Sequence, residues 1–234
     1  MGEATIRENL AGIRERMEAS ARKVGRRAEE ISLIGVSKTH PAEAIREAFE
    51  AGVVHFGENR VQEWEGKRGG VADLAGRWHL IGHLQSNKAA RAAKLFHSVD
   101  SVDDFALAQR LARAREEASG EAKLRVLIEV RIAPEETKSG VEREQLPELA
   151  ENICGLGELE LAGLMCIPPF LGDPEKVRPY FAELRELKVQ LETRLGRKLP
   201  VLSMGMSNDF EAAIEEGATE IRVGTALFGI RETK

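Results

Sequence analysis

The stretch that decides the fold is "LIGVSKTHP", residues 33–41. Apolar residues lead up to Ser37, Lys38 follows directly, and Pro41 stands where a helix can begin. A short apolar run that ends at a polar turn with a proline is typical of a buried strand. The segment therefore predicts a buried strand that carries a lysine at its carboxyl end.

Seven further segments share this strand pattern, and helical patterns separate them. The eight predicted strands are residues 31–37, 53–57, 78–82, 96–100, 124–132, 159–167, 200–204 and 220–224. Strands that alternate with helices favour parallel βαβ units, and eight such units in 234 residues favour a closed barrel over an open sheet. The predicted fold class is α/β, a single (β/α)8 TIM-type barrel in which residues 1–234 form one domain.

The helical patterns include one helix in front of the barrel. Residues 4–28 carry apolar side chains at helical spacing, which predicts an N-terminal helix, within residues 1–28, packed on or beside the barrel. Residues 174–195 predict a second long amphipathic helix. Ser86 and Asp103 are candidate N-caps of two helices between them.

Charge and composition exclude several classes of protein. The 34 basic and 39 acidic residues are interspersed, so we expect no nucleic-acid partner and no membrane-binding basic patch. No apolar run approaches the ~20 residues that span a bilayer, and the charged N-terminus does not have the pattern of a signal peptide. The two cysteines indicate no disulfide framework, so we expect a cytoplasmic protein.

Polar residues and glycines follow the predicted strands at the end where barrels bind ligands. "SMGMS" (203–207) follows the seventh strand and "RVGT" (222–225) ends the eighth, and both suit an anion because glycine lets the backbone approach it. The first and eighth strands adjoin in a closed barrel, so Lys38 would lie beside a phosphate bound there. Lys38 can then pair with the phosphate or form a Schiff base with a phosphorylated aldehyde, and pyridoxal phosphate is the common cofactor that needs both elements.

Six motifs together resemble the pyridoxal-phosphate homeostasis protein family, which is similar to the N-terminal barrel domain of alanine racemase. The motifs are "GVSKTHP" (35–41), "HFGENRVQE" (55–63), "WHLIGHLQSNK" (78–88), "TKSG" (137–140), "LAGLMCIPP" (161–169) and "SMGMSNDFEAAIEEGATEIRVGTALFG" (203–229). They occur in the order found in that family.

This resemblance implies a barrel that binds pyridoxal 5′-phosphate and takes part in balancing its cellular supply. It implies Lys38 as the Schiff-base lysine and Arg222 as a cation beside the pyridine ring. It places Ser203, Gly224 and Thr225 at the phosphate with Ser207 close by, and it places Asn59 and Met165 among residues that line the cofactor. It implies no catalytic residue and no metal, a monomer, and apo pyridoxal-phosphate enzymes as candidate transient partners.

Two other functions stay open from the residues alone. The first is a pyridoxal-phosphate enzyme such as an amino-acid racemase, which in this fold needs a second acid/base, a tyrosine from an extra β domain. The single tyrosine, Tyr180, lies instead in a predicted helix, and no residues remain for such a domain. The second is a sugar-phosphate enzyme with an aldolase-type lysine.

Several residues receive only a structural expectation. Lys88 and Lys138 are predicted surface charges, with a second resting site for the aldehyde as the alternative. His79 is predicted to be packed and His83 to lie in a loop near the cofactor. No constellation is predicted for His40, His55 and His97, and "GKRGG" (66–70) is predicted to be a flexible, solvated loop.

Overall fold

Eight parallel strands close into a barrel in chain order in the computed structural model of the chain. The structure describes residues 5–118, 122–133 and 139–229. The strands are β1 (Ser32–Val36), β2 (His55–Glu58), β3 (Arg77–Leu80), β4 (Ser98–Val102), β5 (Leu124–Glu129), β6 (Leu159–Met165), β7 (Val201–Ser203) and β8 (Glu220–Val223). Their parallel pairing, with β1 bonded to both β2 and β8, confirms the predicted (β/α)8 fold.

Helices surround the strands. They are α1 (Ile6–Lys23), α2 (Ala42–Glu50), α3 (Val61–Lys67), α4 (Ala89–Leu95), α5 (Phe105–Glu117), α6 (Leu146–Cys154), α7 (Pro174–Leu195), α8 (Phe210–Glu215) and α9 (Thr225–Phe228). Short 3-10 turns occupy Ala28–Glu30, Arg68–Val71 and Ser86–Lys88. Within the described ranges, none of the helices has the length and apolar character that crossing a bilayer requires.

The helix in front of the barrel, α1, is shorter than predicted. It begins at Ile6 because Thr5 and Glu8 form a reciprocal capping box, and it ends at Lys23 rather than near residue 28. Gly25 then takes φ 69°, a left-handed conformation that turns the chain away from the helix axis. The apolar face of α1 joins the main core, and Asn9 Nδ2 donates a hydrogen bond to the Leu227 carbonyl at 3.0 Å. The helix therefore packs beside the β8 end of the barrel.

Two predicted helix caps are wrong and one predicted helix is confirmed. Ser86 starts a 3-10 turn, and α4 begins three residues later, at Ala89. The cap of α5 is Asp104 rather than Asp103, and its carboxylate accepts from the Leu107 N–H at 2.7 Å. The helix predicted at 174–195 has those bounds.

A buried polar network fills the amino-terminal end of the barrel interior. His79 Nδ1 lies 3.1 Å from Asp100 Oδ2, and His79 Nε2 lies 2.9 Å from His55 Nδ1. Arg125 Nη2 donates to Glu220 Oε1 at 2.6 Å. His79 is packed as predicted, whereas the expectation that His55 joins no constellation is wrong.

The side chains of this network are of types that bind metal cations, but the network already contains a cationic side chain, that of Arg125. Donor atoms of His79, Asp100 and Glu220 lie within 4.8 Å of one another. The Arg125 guanidinium lies among them, with Nη1 3.5 Å from His79 Nδ1. A guanidinium neutralises a carboxylate without a metal ion, so the network closes the floor of the barrel as an internal ion cluster.

Replacing Leu10 with alanine tests the packing of α1. Leu10 is 2 % exposed, so Leu10→Ala leaves a cavity between α1 and the barrel. We expect the free energy of unfolding to fall by about 2–4 kcal/mol in urea titrations. Glu15→Ala, on the exposed face of the same helix, should change it by less than about 0.5 kcal/mol. Equal effects of the two substitutions would contradict the docking of α1.

Candidate functional site

A cavity of about 580 Å³ opens at the carboxyl ends of the strands. That volume is in the range of small-molecule sites. Six of the eight residues predicted from the sequence line it: Lys38, Asn59, Ser207, Arg222, Gly224 and Thr225. The barrel therefore brings together residues from both ends of the chain at one opening.

Met165 and Ser203 are not among the residues that line this cavity within the described structure. Met165 is fully buried in a small apolar cluster with Leu127, Ala162 and Val201. Ser203 is also fully buried, and its hydroxyl accepts a hydrogen bond from Arg222 Nη1 at 2.7 Å. Their predicted direct contacts with a ligand stay untested, and the contacts seen place both residues beneath the cavity floor.

Arg222 is anchored in the cavity by two hydrogen bonds. Its side chain is buried, and besides the bond to Ser203 its Nη2 donates to the Cys166 carbonyl at 2.7 Å. Both partners are neutral, and the guanidinium forms no ion pair with another residue of the described ranges. Burial also raises the pKa of the neighbouring Cys166 thiol to about 12, which keeps this cysteine protonated.

Lys38 lies half-buried at the rim, two residues beyond the last pair of the β1 ladder. The next residue, Thr39, has φ 66°, a left-handed conformation that is unfavourable for a β-branched side chain. Such strain costs on the order of 1–3 kcal/mol and persists only where the surroundings hold it. The turn that carries Lys38 is therefore held in this conformation by contacts with residues outside the turn.

Two glycines allow the close packing that shapes the cavity. Gly205 follows β7 with φ 92°, and a Cβ there would lie 2.6 Å from the Ala213 Cβ on α8. A Cβ on Gly82, which lines the cavity, would lie 2.5 Å from the Asn59 carbonyl oxygen. Side chains at these positions would push apart the loops that present Ser207 and Asn59. The Ala226 N–H donates to the Ser207 hydroxyl at 3.3 Å, which ties these loops together.

The main residue that sequence reasoning missed is Glu129. The predicted fifth strand ran to residue 132, which hid Glu129 within it, whereas β5 ends at this residue and directs it into the cavity. The side chain is 5 % exposed. Burial, with a further contribution from Asp103, raises the pKa of Glu129 to about 7 against an opposing effect of Arg222.

Other predicted and unpredicted residues surround the opening. His83 lines the cavity, as expected for a loop residue near the ligand, and lies 3.6 Å from Asp103. His40 also lines it and stacks on Phe228, although no role was predicted for it. Lys88 is half-buried next to α4, and Lys138 falls outside the described residues. Tyr180 lies in α7, as predicted.

Comparisons with known proteins agree with this architecture. The family model described as "Alanine racemase, N-terminal domain" matches residues 9–232. The chain is 47% identical over 229 residues to the pyridoxal phosphate homeostasis protein of Pseudomonas aeruginosa, covering 98% of this chain and 97% of the relative. It is 45% identical over 225 residues to the protein of that name from Aquifex aeolicus, covering 96% and 98%.

The chain belongs to the pyridoxal phosphate homeostasis protein family. A solved member, PipY of Synechococcus elongatus with pyridoxal phosphate bound, is 40% identical with a TM-score of 0.85, covering 96% of this chain and 100% of that one. Alanine racemase of Clostridium difficile shares the fold at 16% identity, with a TM-score of 0.77, 98% of this chain and 58% of that chain. This membership confirms the family that the six sequence motifs predicted.

The shifted Glu129 carboxyl makes a pH-dependent prediction for the protein without ligand. Below pH 4.5 the carboxyl group is protonated in both the folded and the unfolded chain. In the folded protein the pKa of this carboxyl group is about 7. Between pH 4.5 and 7 the group is therefore ionised more fully in the unfolded chain than in the folded protein, so the free energy of unfolding falls as the pH rises. Glu129→Gln removes this loss, and we expect it to raise the free energy of unfolding at pH 8 by up to about 3 kcal/mol.

Urea unfolding of both proteins at pH 4.5 and pH 8 would measure this difference. At pH 4.5 the two curves should coincide. Glu144→Gln, which changes an exposed carboxylate, serves as the control and should have little effect at either pH. A Glu129→Gln protein that gains no stability at pH 8 would show that Glu129 is ionised there at no cost.

Proposed function

We propose that this chain binds pyridoxal 5′-phosphate in the cavity, holds it as a Schiff base on Lys38, and so carries and buffers the cofactor in the cell. The observation that carries the proposal is the shared cavity of Lys38, Ser207, Gly224 and Thr225. The bound cofactor of PipY, from the same family, supports the choice of ligand. The aldehyde of that ligand supplies an electrophilic carbon to which a neutral lysine amine adds, with loss of water and formation of a C=N bond.

The phosphate end of the ligand is proposed to lie at the carboxyl ends of β7 and β8. Ser207 and Thr225 contribute hydroxyl groups there, and Gly224 leaves the backbone open to an anion. Because β1 pairs with β8, Lys38 follows the strand that adjoins β8. A ligand with a phosphate at one end and an aldehyde close to it can therefore meet both groups at once.

Arg222 is proposed to face the pyridine ring of the ligand. A fixed guanidinium near the ring nitrogen disfavours protonation of that nitrogen because like charges repel. An unprotonated ring withdraws electrons less strongly, which would leave a bound amine less activated. Asn59 is proposed as a further wall of this region, since it lines the same cavity.

A carrier explains the site better than a racemase does. Racemases of this fold use a tyrosine on the opposite face of the ligand, and the single tyrosine here, Tyr180, lies in α7 and not among the residues that line the cavity. The names of the relatives refer to homeostasis of the cofactor rather than to a reaction. We propose that residues 1–234 act as one cytoplasmic, monomeric binding domain, with apo pyridoxal-phosphate enzymes as transient partners.

Borohydride trapping tests the assignment of Lys38. The protein is mixed with pyridoxal phosphate, reduced, digested, and the modified lysine is located by mass spectrometry. We expect the label on Lys38, its loss in Lys38→Ala, and an unchanged pattern in Lys88→Ala. A label scattered over surface lysines, or retained in Lys38→Ala, would reject the site. Amino-acid racemisation and transamination assays on the loaded protein would then separate a carrier from an enzyme.

Replacing Arg222 tests the electrostatic role proposed for it. Loss of the cation should make the ring nitrogen easier to protonate, so the pH midpoint of the bound cofactor's absorption change should rise by about 1 unit in Arg222→Leu. Arg222→Lys keeps a positive charge and should stay closer to wild type. Identical titrations for the wild-type and Leu proteins would show that the guanidinium does not act on the ring.

A further inference from the structure

The turn after Lys38 is held from outside the barrel by one buried ammonium group. Lys67 Nζ, at the end of α3, donates to the Ser37 carbonyl at 2.8 Å and lies 3.4 Å from the His40 carbonyl. These carbonyls flank Lys38 and Thr39 on both sides. The Lys67 side chain is only 11 % exposed, although the "GKRGG" segment that contains it was predicted to be solvated.

Two carboxylates complete this arrangement. Lys67 Nζ lies 2.7 Å from Glu58 Oε1, and the same oxygen accepts from the Ser37 hydroxyl at 2.6 Å. Lys67 also lies 3.4 Å from Glu63 Oε1, which in turn accepts a hydrogen bond from the Thr39 N–H. Among the described residues, the polar contacts of Lys67 Nζ are therefore all with the turn or with a residue that binds the turn.

The conformation of Thr39 shows why the turn needs such support. A left-handed φ of 66° at a β-branched residue is not its preferred state, so an unrestrained turn would relax. Relaxation would rotate the backbone directly after Lys38 and change the direction of its side chain. Contacts that pin the carbonyls on both sides and the amide of Thr39 prevent this rotation.

We propose that Lys67 is a positioning residue for Lys38, with Glu58 and Glu63 as its partners. This inference rests on the proposed Schiff base at Lys38. Lys67 lies behind the barrel wall and is not among the residues that line the cavity, so its action on the ligand is indirect. It fixes the backbone from which the Lys38 amine reaches the aldehyde, and a near-correct geometry speeds the addition.

Removing Lys67 has two effects that the experiment must separate. Lys67→Met frees the turn, but it also leaves the fully buried Glu58 carboxylate without its cation, which destabilises the fold by itself. The double variant Glu58→Gln/Lys67→Met removes the unpaired charge, while the Ser37 and His40 carbonyls still have no ammonium group to hold them. Lys67→Arg keeps the charge and the capacity to donate to both carbonyls.

The test follows the rate at which Lys38 is trapped by borohydride with pyridoxal phosphate, the affinity for the cofactor, and the melting temperature. We expect Lys67→Met and the double variant to trap Lys38 at least tenfold more slowly than wild type. The double variant should recover melting temperature but not trapping rate, and Lys67→Arg should recover much of both. Trapping at the wild-type rate in the double variant would overturn the proposal.

A matched control comes from a second buried lysine–glutamate pair. Lys188 Nζ lies 2.8 Å from Glu192 Oε1 on α7, with side chains 18 % and 7 % exposed. Lys188→Met should lower the melting temperature without slowing the trapping of Lys38. If it slows trapping as much as Lys67→Met does, the effect is one of general stability and the positioning role is rejected.

Hydrogen exchange of the protein without cofactor gives a readout that needs no Schiff base. The amides of Thr39 and His40 donate to Glu63 and to the Ser37 carbonyl. We expect a peptide covering residues 37–41 to exchange at least tenfold faster in the double variant and at the wild-type rate in Lys188→Met. Unchanged exchange would show that Lys67 does not hold the turn. If wild-type Lys38 is never labelled while exchange responds as expected, the proposed function fails and the structural support by Lys67 stands.

Discussion

Parallel pairing of β1 with β8 is the constraint on which the site depends. The register from Ser32 opposite Glu220 to Gly35 opposite Val223 closes the barrel and joins the two ends of the chain. It sets Lys38, just beyond β1, beside Gly224 and Thr225, just beyond β8. Lys38 and Thr225 are far apart in the sequence, so they share one cavity only in the closed barrel. The packing of α1 near Leu227 supports the same junction from outside.

The barrel interior changes character from one end to the other. At its amino-terminal end, Arg125 pairs with Glu220 Oε1 and His79 pairs with Asp100, so polar side chains of the protein itself occupy the interior. At its carboxyl end, Lys38 and Arg222 face an open cavity, and the raised pKa of Glu129 reduces the opposing negative charge near neutral pH. Positive charge therefore faces the cavity at the carboxyl end of the barrel, whereas the charges at the amino-terminal end are paired. This distribution favours binding of an anionic ligand at the carboxyl end.

The sequence predicted the strands and six of the residues that line the cavity because both follow from local rules. Apolar runs mark buried strands, and the first residues after parallel strands share one face, so Lys38 and Gly224 could be placed without coordinates. The errors have a different origin. Lys67 was predicted to be solvated because most of its oxygen partners come from two other segments of the chain. Glu129 was missed because the predicted strand ended at residue 132, three residues beyond the end of β5 at residue 129. Asp104 replaced Asp103 as a cap because backbone geometry, rather than residue type, selects between adjacent aspartates.

Lys38 and Arg222 are held in a similar way, and this bears on what the site can do. Arg222 donates to a carbonyl and a hydroxyl, and the turn that carries Lys38 is held through its own carbonyls and an amide. Contacts of this kind fix the direction in which each side chain enters the cavity. A protein that keeps a reactive aldehyde on one lysine and later releases it needs this fixed direction, but it needs no second acid or base at the substrate carbon. The fixed direction of Lys38 and Arg222 thus suits the retention of the cofactor that we propose.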